Sequence, residues 1–119
     1  MAGGLRFRSE AILVSSLGTP YTVAGSPITI IPASQVSGIQ RVGIYRMIAV
    51  ATAAVTLQFQ DTASTLISAQ YSLIAGGTIT LDTPINGDYW WQGGAGRGIQ
   101  LLLTGTGPLA ADIWVAFGA

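Results

Sequence analysis

Cysteine, histidine and lysine are absent from the chain, and only 8% of its 119 residues are charged. The lack of cysteine excludes disulfide bonds, thiolate catalysis and cysteine-based zinc sites. Because histidine and lysine are also missing, a general base at neutral pH would need to be a carboxylate with a strongly raised pKa or a tyrosine with a lowered one. The carboxylates are far apart in the sequence, and most lie at predicted turns or strand ends: Glu10, Asp61, Asp82, Asp88 and Asp112. The sequence therefore predicts a protein that is not an enzyme and that uses neither a metal nor another cofactor.

The few charges balance, since the chain has five basic and five acidic residues. A chain without net charge has no long-range field that would draw it to nucleic acid or to anionic lipid. Its longest dense apolar run, residues 47–57, is about half as long as a bilayer-spanning helix, and the N-terminal apolar stretch is too short for a signal-peptide core. We therefore expect no nucleic acid, no membrane and no small-molecule substrate. The low charge instead favours a surface that faces other protein, and arginine suits such interfaces better than lysine.

Apolar and polar residues alternate with a period of two in four segments, which is typical of half-buried strands: residues 55–60, 78–82, 99–103 and 113–117. Strand-forming residues also dominate residues 28–31, 44–51, 69–74 and 89–91. Turn-forming residues separate these segments. The pattern predicts an all-β fold of about eight strands, arranged as an antiparallel two-sheet β-sandwich. A jelly roll fits better than an immunoglobulin sandwich, because the cysteine pair of the latter is missing.

The first 26 residues differ from the rest, since they are rich in glycine, serine and threonine. We predict an N-terminal arm or edge strand over residues 1–26 and the β-sandwich domain over residues 27–119. In the arm, Arg6 and Arg8 flank Phe7, which suggests a partner-binding segment that inserts Phe7 into a pocket and pairs both arginines with an acidic surface. The alternative is an N-terminus without fixed structure.

Several predicted strands are apolar on both faces, which requires two packing partners. The second apolar face includes Tyr45, Met47 and Trp114. Because large exposed apolar patches are rare in stable monomers, these residues are predicted to lie at an interface with another subunit or a partner protein. The alternative is that these strands are central in a thick core.

Two adjacent tryptophans, Trp90 and Trp91, follow Tyr89. In a strand, one of the two points into the core and the other points outward. An exposed tryptophan is typical of protein-binding hot spots and also of carbohydrate-binding platforms. Only Asn86 and Asp88 lie near enough in sequence to support a sugar site, so we favour a protein interface.

The glycine-rich segment 93–98 carries Arg97. Phosphate-binding loops of similar composition lead into a helix, whereas a strand is predicted to follow here. We therefore interpret this segment as a hairpin loop that presents Arg97 to a partner.

The order of elements over residues 55–119 carries a resemblance to a known group. The segments LQFQDTASTLISAQYSLIAGGTITL and DYWWQGGAGRGIQLLLTGTGPLAADIWVAF contain a strand that ends near an aspartate, a strand that begins after Gly-Gly, an aromatic turn before a glycine-rich loop, and a last aromatic strand. This order resembles small structural proteins of tailed bacteriophages, in particular jelly-roll capsid decoration proteins, also called cement proteins. The resemblance implies homotrimers on the capsid surface, assembled in the host cytoplasm, with the major capsid protein as partner and arms that reach neighbouring coat subunits.

Two functional hypotheses follow. The first is a trimeric decoration protein that binds the outer capsid surface and stabilises the head. The alternative is a carbohydrate-binding β-sandwich of a phage fibre or tail, in which Trp90 or Trp91 and Asp88 form the platform.

Overall fold

The structure, a computed structural model, describes residues 12–16, 18–84 and 89–118. These residues form nine strands: β1 (Ile12–Ser15), β2 (Ile28–Ile31), β3 (Arg41–Ala51), β4 (Val55–Asp61), β5 (Tyr71–Leu73), β6 (Thr78–Leu81), β7 (Trp91–Gln92), β8 (Ile99–Gly105) and β9 (Leu109–Gly118). Two single-turn 3-10 helices, Val23–Gly25 and Ala33–Gln35, lie in the connections on either side of β2. The predicted all-β fold is confirmed. Within these residues no helix has the length and apolar character needed to cross a bilayer.

The strands form two antiparallel sheets. The first sheet has the order β1-β9-β3-β6, with β7 also paired to β3, and the second has the order β2-β8-β4-β5. Strands from the two ends of the chain pair first, and pairing continues toward the middle: β1 with β9, β2 with β8, β3 with β6, and β4 with β5. The pairs are therefore nested, as in one long hairpin that is folded over. This nesting over two facing sheets is the jelly-roll arrangement, and the predicted β-sandwich is confirmed.

The structure has nine strands against the eight predicted, and the additional one is β1, in the segment predicted as an arm or edge strand; β6 and β7 share one edge of β3. Both β6 and β7 pair with β3 along the same edge, with Leu81 opposite Met47 and Trp91 opposite Ile44. Of the residues between them, the described ones, 82–84, 89 and 90, belong to no strand. The pair β6 and β7 thus takes the place of one jelly-roll strand.

A β-bulge in β3 sets which side chains face the core. The pairing of β3 with β9 shifts between Ile44, which is opposite Val115, and Arg46, which is opposite Trp114, so that Tyr45 is the additional residue. An extra residue in one strand reverses the alternation beyond it. Val42 and Ile44 point inward before the bulge, and Met47, Ala49 and Ala51 point inward after it.

The prediction that Met47 lies at an intermolecular interface is therefore wrong. Its side chain is fully buried within the core of the single chain, as are those of Ala49 and Ala51. Strict alternation from Tyr45 placed all of them on the outer face, because the sequence pattern does not reveal the bulge. The same shift brings Arg46, Ile48 and Val50 outward.

The core lies between the two sheets and is built from the inward residues of the long strands. Its largest fully buried apolar side chains are Ile44, Met47, Leu57, Phe59, Ile99, Leu101, Leu109 and Ile113. Trp91 closes one side of this core, with its ring centroid 5.5 Å from that of Phe59 and 5.8 Å from that of Tyr71. Burial of these apolar side chains is the main stabilising term for a chain with so few ionic groups.

The part of the predicted arm that the structure describes is joined to the sandwich. β1 is an edge strand against β9, and beyond it the Ser16 amide donates to the Ala111 carbonyl at 2.9 Å. Tyr21 exchanges backbone hydrogen bonds with Leu109. Residues 1–11, which include Arg6, Phe7 and Arg8, lie outside the described residues.

Candidate protein-binding surface

The solvent side of the first sheet, named here the outer face, is composed differently from the rest of the surface. Strand register places ten side chains on it: Leu13 and Ser15 from β1, Ala110, Asp112 and Trp114 from β9, Arg46, Ile48 and Val50 from β3, and Thr78 and Thr80 from β6. Five of these are apolar. Leu13 is 50% exposed and Val50 is 40% exposed, so the apolar character reaches the solvent rather than being covered by other parts of the described chain.

The charged groups on or beside the outer face are already engaged with neighbours. The guanidinium carbon of Arg46 lies 4.5 Å from the ring centroid of Trp114, a cation–π geometry. Arg46 Nε is 4.0 Å from Asp82 Oδ1, in a pair whose aspartate is 84% exposed. Ser15 Oγ donates to Asp112 Oδ1 at 2.6 Å. The outer face therefore offers a partner apolar area with compensated charge.

A shallow groove lies at one end of the outer face. Ile48, Val50 and Ala110 form its apolar floor, and the segment after β1, with Gly18 and Pro20, forms a wall. Its volume is about 490 Å³. Asp112 supplies the carboxylate at its margin. Burial is the main cause that raises the pKa of the nearby Tyr21 hydroxyl, and the negative charge of Asp112 raises this pKa further. The tyrosine therefore stays neutral at physiological pH.

The opposite side of the sandwich is mostly polar. Register places six polar residues and the apolar Leu102 on the solvent side of the second sheet; the polar residues are Thr56, Gln58, Gln60, Ser72, Gln100 and Thr104. Many of these bond to one another: Gln60 Nε2 donates to Gln100 Oε1 at 2.7 Å, and the Thr56 and Ser72 hydroxyls are 3.1 Å apart. A face whose polar groups are hydrated or mutually bonded has little to gain from contact with protein. The solvent side of the first sheet is therefore the more apolar of the two.

The two adjacent tryptophans lie as alternation predicts. Trp91 packs against the core, whereas Trp90 is 44% exposed. Trp90 Nε1 donates to the Asp82 carbonyl at 2.7 Å, so the ring is held beside the outer face. Tyr89 fixes the same segment, because its ring occupies the space that a Cβ at Gly43 would need. Trp90, and not Trp91, can therefore contact a partner.

Arg97 does not simply project from a loop tip. Its Nη1 lies 3.2 Å from Asp61 Oδ2, and the Asp61 side chain is only 1% exposed. This ion pair joins the β4–β5 loop to the β7–β8 loop at one end of the sandwich. Gly98 in the second loop packs so closely on the Ile31 carbonyl that no side chain fits there. The glycine-rich segment is thus explained by packing of the loop.

Asp61 is the centre of this loop junction. Besides Arg97, it accepts hydrogen bonds from the amides of Ala63 at 2.9 Å, Thr65 at 3.1 Å and Gly94 at 3.4 Å. Burial acts to raise the pKa of this carboxyl, but the amide and guanidinium donors outweigh burial and hold the pKa below its usual value. Asp61 is therefore an ionised structural group.

The structure brings together only part of the residue set predicted from the sequence. Trp114 and Trp90 lie on or beside the outer face, Tyr45 is half-buried at the bulge, and Arg97 lies at the end of the sandwich. Arg6, Phe7, Arg8, Asn86 and Asp88 lie outside the described residues. Sequence reasoning missed Leu13, Arg46, Ile48 and Val50. Their position on the outer face depends on the bulge in β3 and on the pairing of β1 with β9, and the sequence pattern reveals neither.

Metal-binding potential is low in the part of the chain that the structure describes, where no group of three or more acidic, histidine or cysteine side chains could hold an ion. A comparison with protein-family models gives no match, and a search of curated proteins finds no match either.

Proposed function

We propose that this chain is a structural virion protein: a non-enzymatic capsid decoration protein that binds the outer surface of the major capsid protein as a homotrimer and stabilises the head. The observation that carries the proposal is the outer face of the first sheet, with Leu13, Val50 and Trp114 at its surface and its charges paired among themselves. The overall composition agrees, since an average domain has about three times as many charged residues.

The physics of the outer face suits a role in holding other proteins together. Apolar area removed from water contributes about 25 cal/mol per Å², and compensated ion pairs at a rim add little cost when a partner approaches. A decoration protein needs no more than this, because it acts by burying surface across the junction between coat subunits. The order of strands and turns over residues 55–119 resembles that of phage decoration proteins, which supports the same role.

The non-enzymatic part of the proposal is supported by the state of Asp61. It is the one buried charged residue among those described, and a carboxylate acting as a general base near neutral pH would need a raised pKa. The pKa of Asp61 is instead lowered by four hydrogen-bond donors.

The alternative, a carbohydrate-binding module of a phage fibre or tail, is supported by the exposed ring of Trp90 beside Asp82. Two observations weigh against it. Trp91 is occupied in the core, and Trp114 is covered on one face by Arg46. A planar platform of several free rings, which sugar stacking favours, is therefore not formed by these residues.

The proposal can be tested with expanded phage heads assembled without this protein. We expect the purified chain to co-sediment with the heads at micromolar concentration, and Val50→Glu to weaken binding because it places an unpaired charge on the apolar face. The matched control is Thr104→Glu, on the solvent side of the second sheet, which should bind like the wild type. Failure of the wild-type chain to bind would overturn the proposal. Glycan-array binding that is lost in Trp90→Ala would favour the alternative.

A further inference from the structure

Among the described residues, no strand pairs with the outer edge of β1, and this edge differs from the other exposed sheet edges. The edge strand β2 lies between Pro27 and Pro32 and has an irregular register. β5 has only three residues, and the remaining edge consists of two separate pairings of β3, with β6 and with the two-residue β7. Prolines, bulges and short strands are the usual means by which proteins prevent edge pairing. β1 has four residues, like β2, but it contains neither proline nor bulge: its sequence ILVS pairs regularly with β9, and Ile12 is 39% and Leu13 50% exposed.

The register of β1 shows which backbone groups face outward. The Ser16 amide donates to the Ala111 carbonyl at 2.9 Å, so this pair belongs to the hydrogen-bonded set of the antiparallel ladder. Pairs alternate along such a ladder, and therefore Ile12 and Val14 bond to β9 as well, whereas the amide and carbonyl of Leu13 point away from β9. Leu13 thus presents one donor and one acceptor at the edge of the sheet.

We infer that β1 pairs antiparallel with β1 of a second copy of this chain, with Leu13 on the two-fold axis. In this register the Leu13 amide of each copy donates to the Leu13 carbonyl of the other. The adjoining positions are also complementary, because Ile12 of one copy lies opposite Val14 of the other on the core side of the sheet. The two first sheets become one continuous eight-stranded sheet, to which the β7 segments add.

The composition of the edge favours a second copy as the occupant. β1 carries no charge and the chain has no net charge, so two copies do not repel each other when identical edges meet. All three facing positions are apolar on both sides of the axis. Because a single strand edge is smaller than a standard protein interface, we expect a reversible, concentration-dependent dimer.

This inference rests on the backbone edge of β1, whereas the capsid proposal rests on the side chains of the outer face, to which Leu13 also belongs. It remains compatible with it, because neighbouring threefold positions on an icosahedral shell are related by two-fold axes, and β1 pairing would then link adjacent trimers.

Disulfide trapping tests the pairing directly, since the chain has no cysteine of its own. Opposed residues of a hydrogen-bonded antiparallel pair have Cα atoms about 5.5 Å apart, within the range of about 4.4 to 6.8 Å that a disulfide spans. We expect Leu13→Cys to give a covalent dimer under mild oxidation. The control is Thr29→Cys, exposed on the edge strand β2, which should stay mostly monomeric. Equal yields of dimer from the two variants would overturn the inference.

Sedimentation of charge variants gives a second readout. Leu13→Lys introduces like charges on the two-fold axis and should weaken association roughly tenfold or more. Its thermal unfolding should match the wild type, because the side chain is half exposed. If Leu13→Lys leaves association unchanged, the inference is wrong, because the copies then associate through another surface, as in a trimer. That outcome leaves the capsid proposal intact. A chain that forms β1 dimers but does not bind heads would support the inference and contradict the capsid proposal.

Discussion

Arg46 and Trp114 lie opposite each other on β3 and β9, with the guanidinium carbon 4.5 Å from the indole centroid. The bulge at Tyr45 creates this relationship, because without the extra residue Arg46 would point toward the core. The indole face and the exposed carboxylate of Asp82 together balance the positive charge. The outer face is thereby able to carry an arginine without losing its suitability for contact with protein.

A double-mutant cycle with Arg46→Met and Trp114→Leu should measure this contact. We expect a coupling free energy of about 0.5 to 1 kcal/mol, the usual value for a cation–π pair at a partly exposed site. Denaturant unfolding of the wild type, the two single variants and the double variant gives the value. Arg41→Met is the control, since Arg41 lies opposite Gly118 and far along β9 from Trp114; a coupling with Trp114 as large as that of Arg46 would contradict the assignment.

Alanine substitutions at Met47 and Val50 should differ strongly in their effect on the free energy of unfolding, and this difference tests the register of β3. Met47→Ala should lower the free energy of unfolding by about 2 to 5 kcal/mol, because it opens a cavity between the sheets. Val50→Ala, on the outer face, should cost about 0.5 kcal/mol or less. Chemical denaturation followed by tryptophan fluorescence measures both. If Met47→Ala instead kept full stability and lost only association, the residue would belong to an interface as the sequence pattern predicted.

The fold could be predicted from the sequence because its determinants are local. Alternation in residues 55–60 and 99–103 marked strands β4 and β8, and turn residues separated them, so a two-sheet sandwich followed. The jelly-roll order was reached only by strand count and resemblance. The pairing of both β6 and β7 with the same edge of β3 has no periodic signal.

The binding surface was harder to predict because it depends on register. One extra residue at Tyr45 exchanged the inward and outward sets of the second half of β3, so Met47 was assigned to the wrong side and Val50 was overlooked. Trp114 was placed on the correct side of its sheet, because β9 has no such irregularity, and its role at an interface stays a prediction. For Arg97 the sequence showed an exposed loop position, but its partner Asp61 is 36 residues away and only the fold brings the two together.

Replacement of Asp61 by asparagine should be costly although the shape is conserved. The Oδ1 atom could still accept from Ala63 and Thr65, but the new amide group would face the donors of Gly94 and Arg97. Because Arg97 is 45% exposed and can turn to water, we expect the loss of these two contacts to cost about 1 to 3 kcal/mol. Asp82→Asn is the matched control, because that carboxylate is 84% exposed and its pair is worth at most about 1 kcal/mol. Equal urea midpoints for the two variants would show that the loop junction does not stabilise the fold.

The same carboxyl should make the stability depend on pH on the acid side. The pKa of Asp61 is lower in the folded chain than the value of about 3.9 in an unfolded one, so the folded state binds fewer protons in this range. Its contribution is therefore fully present well above pH 4 and is lost as the pH falls through the unfolded and then the folded pKa. Urea unfolding at a series of pH values from 6 downward should show a loss of stability in the wild type and in Asp82→Asn. Asp61→Asn cannot bind a proton at this position, so its free energy of unfolding should depend less on pH. A pH dependence equal to that of the wild type would mean that another carboxyl controls acid unfolding.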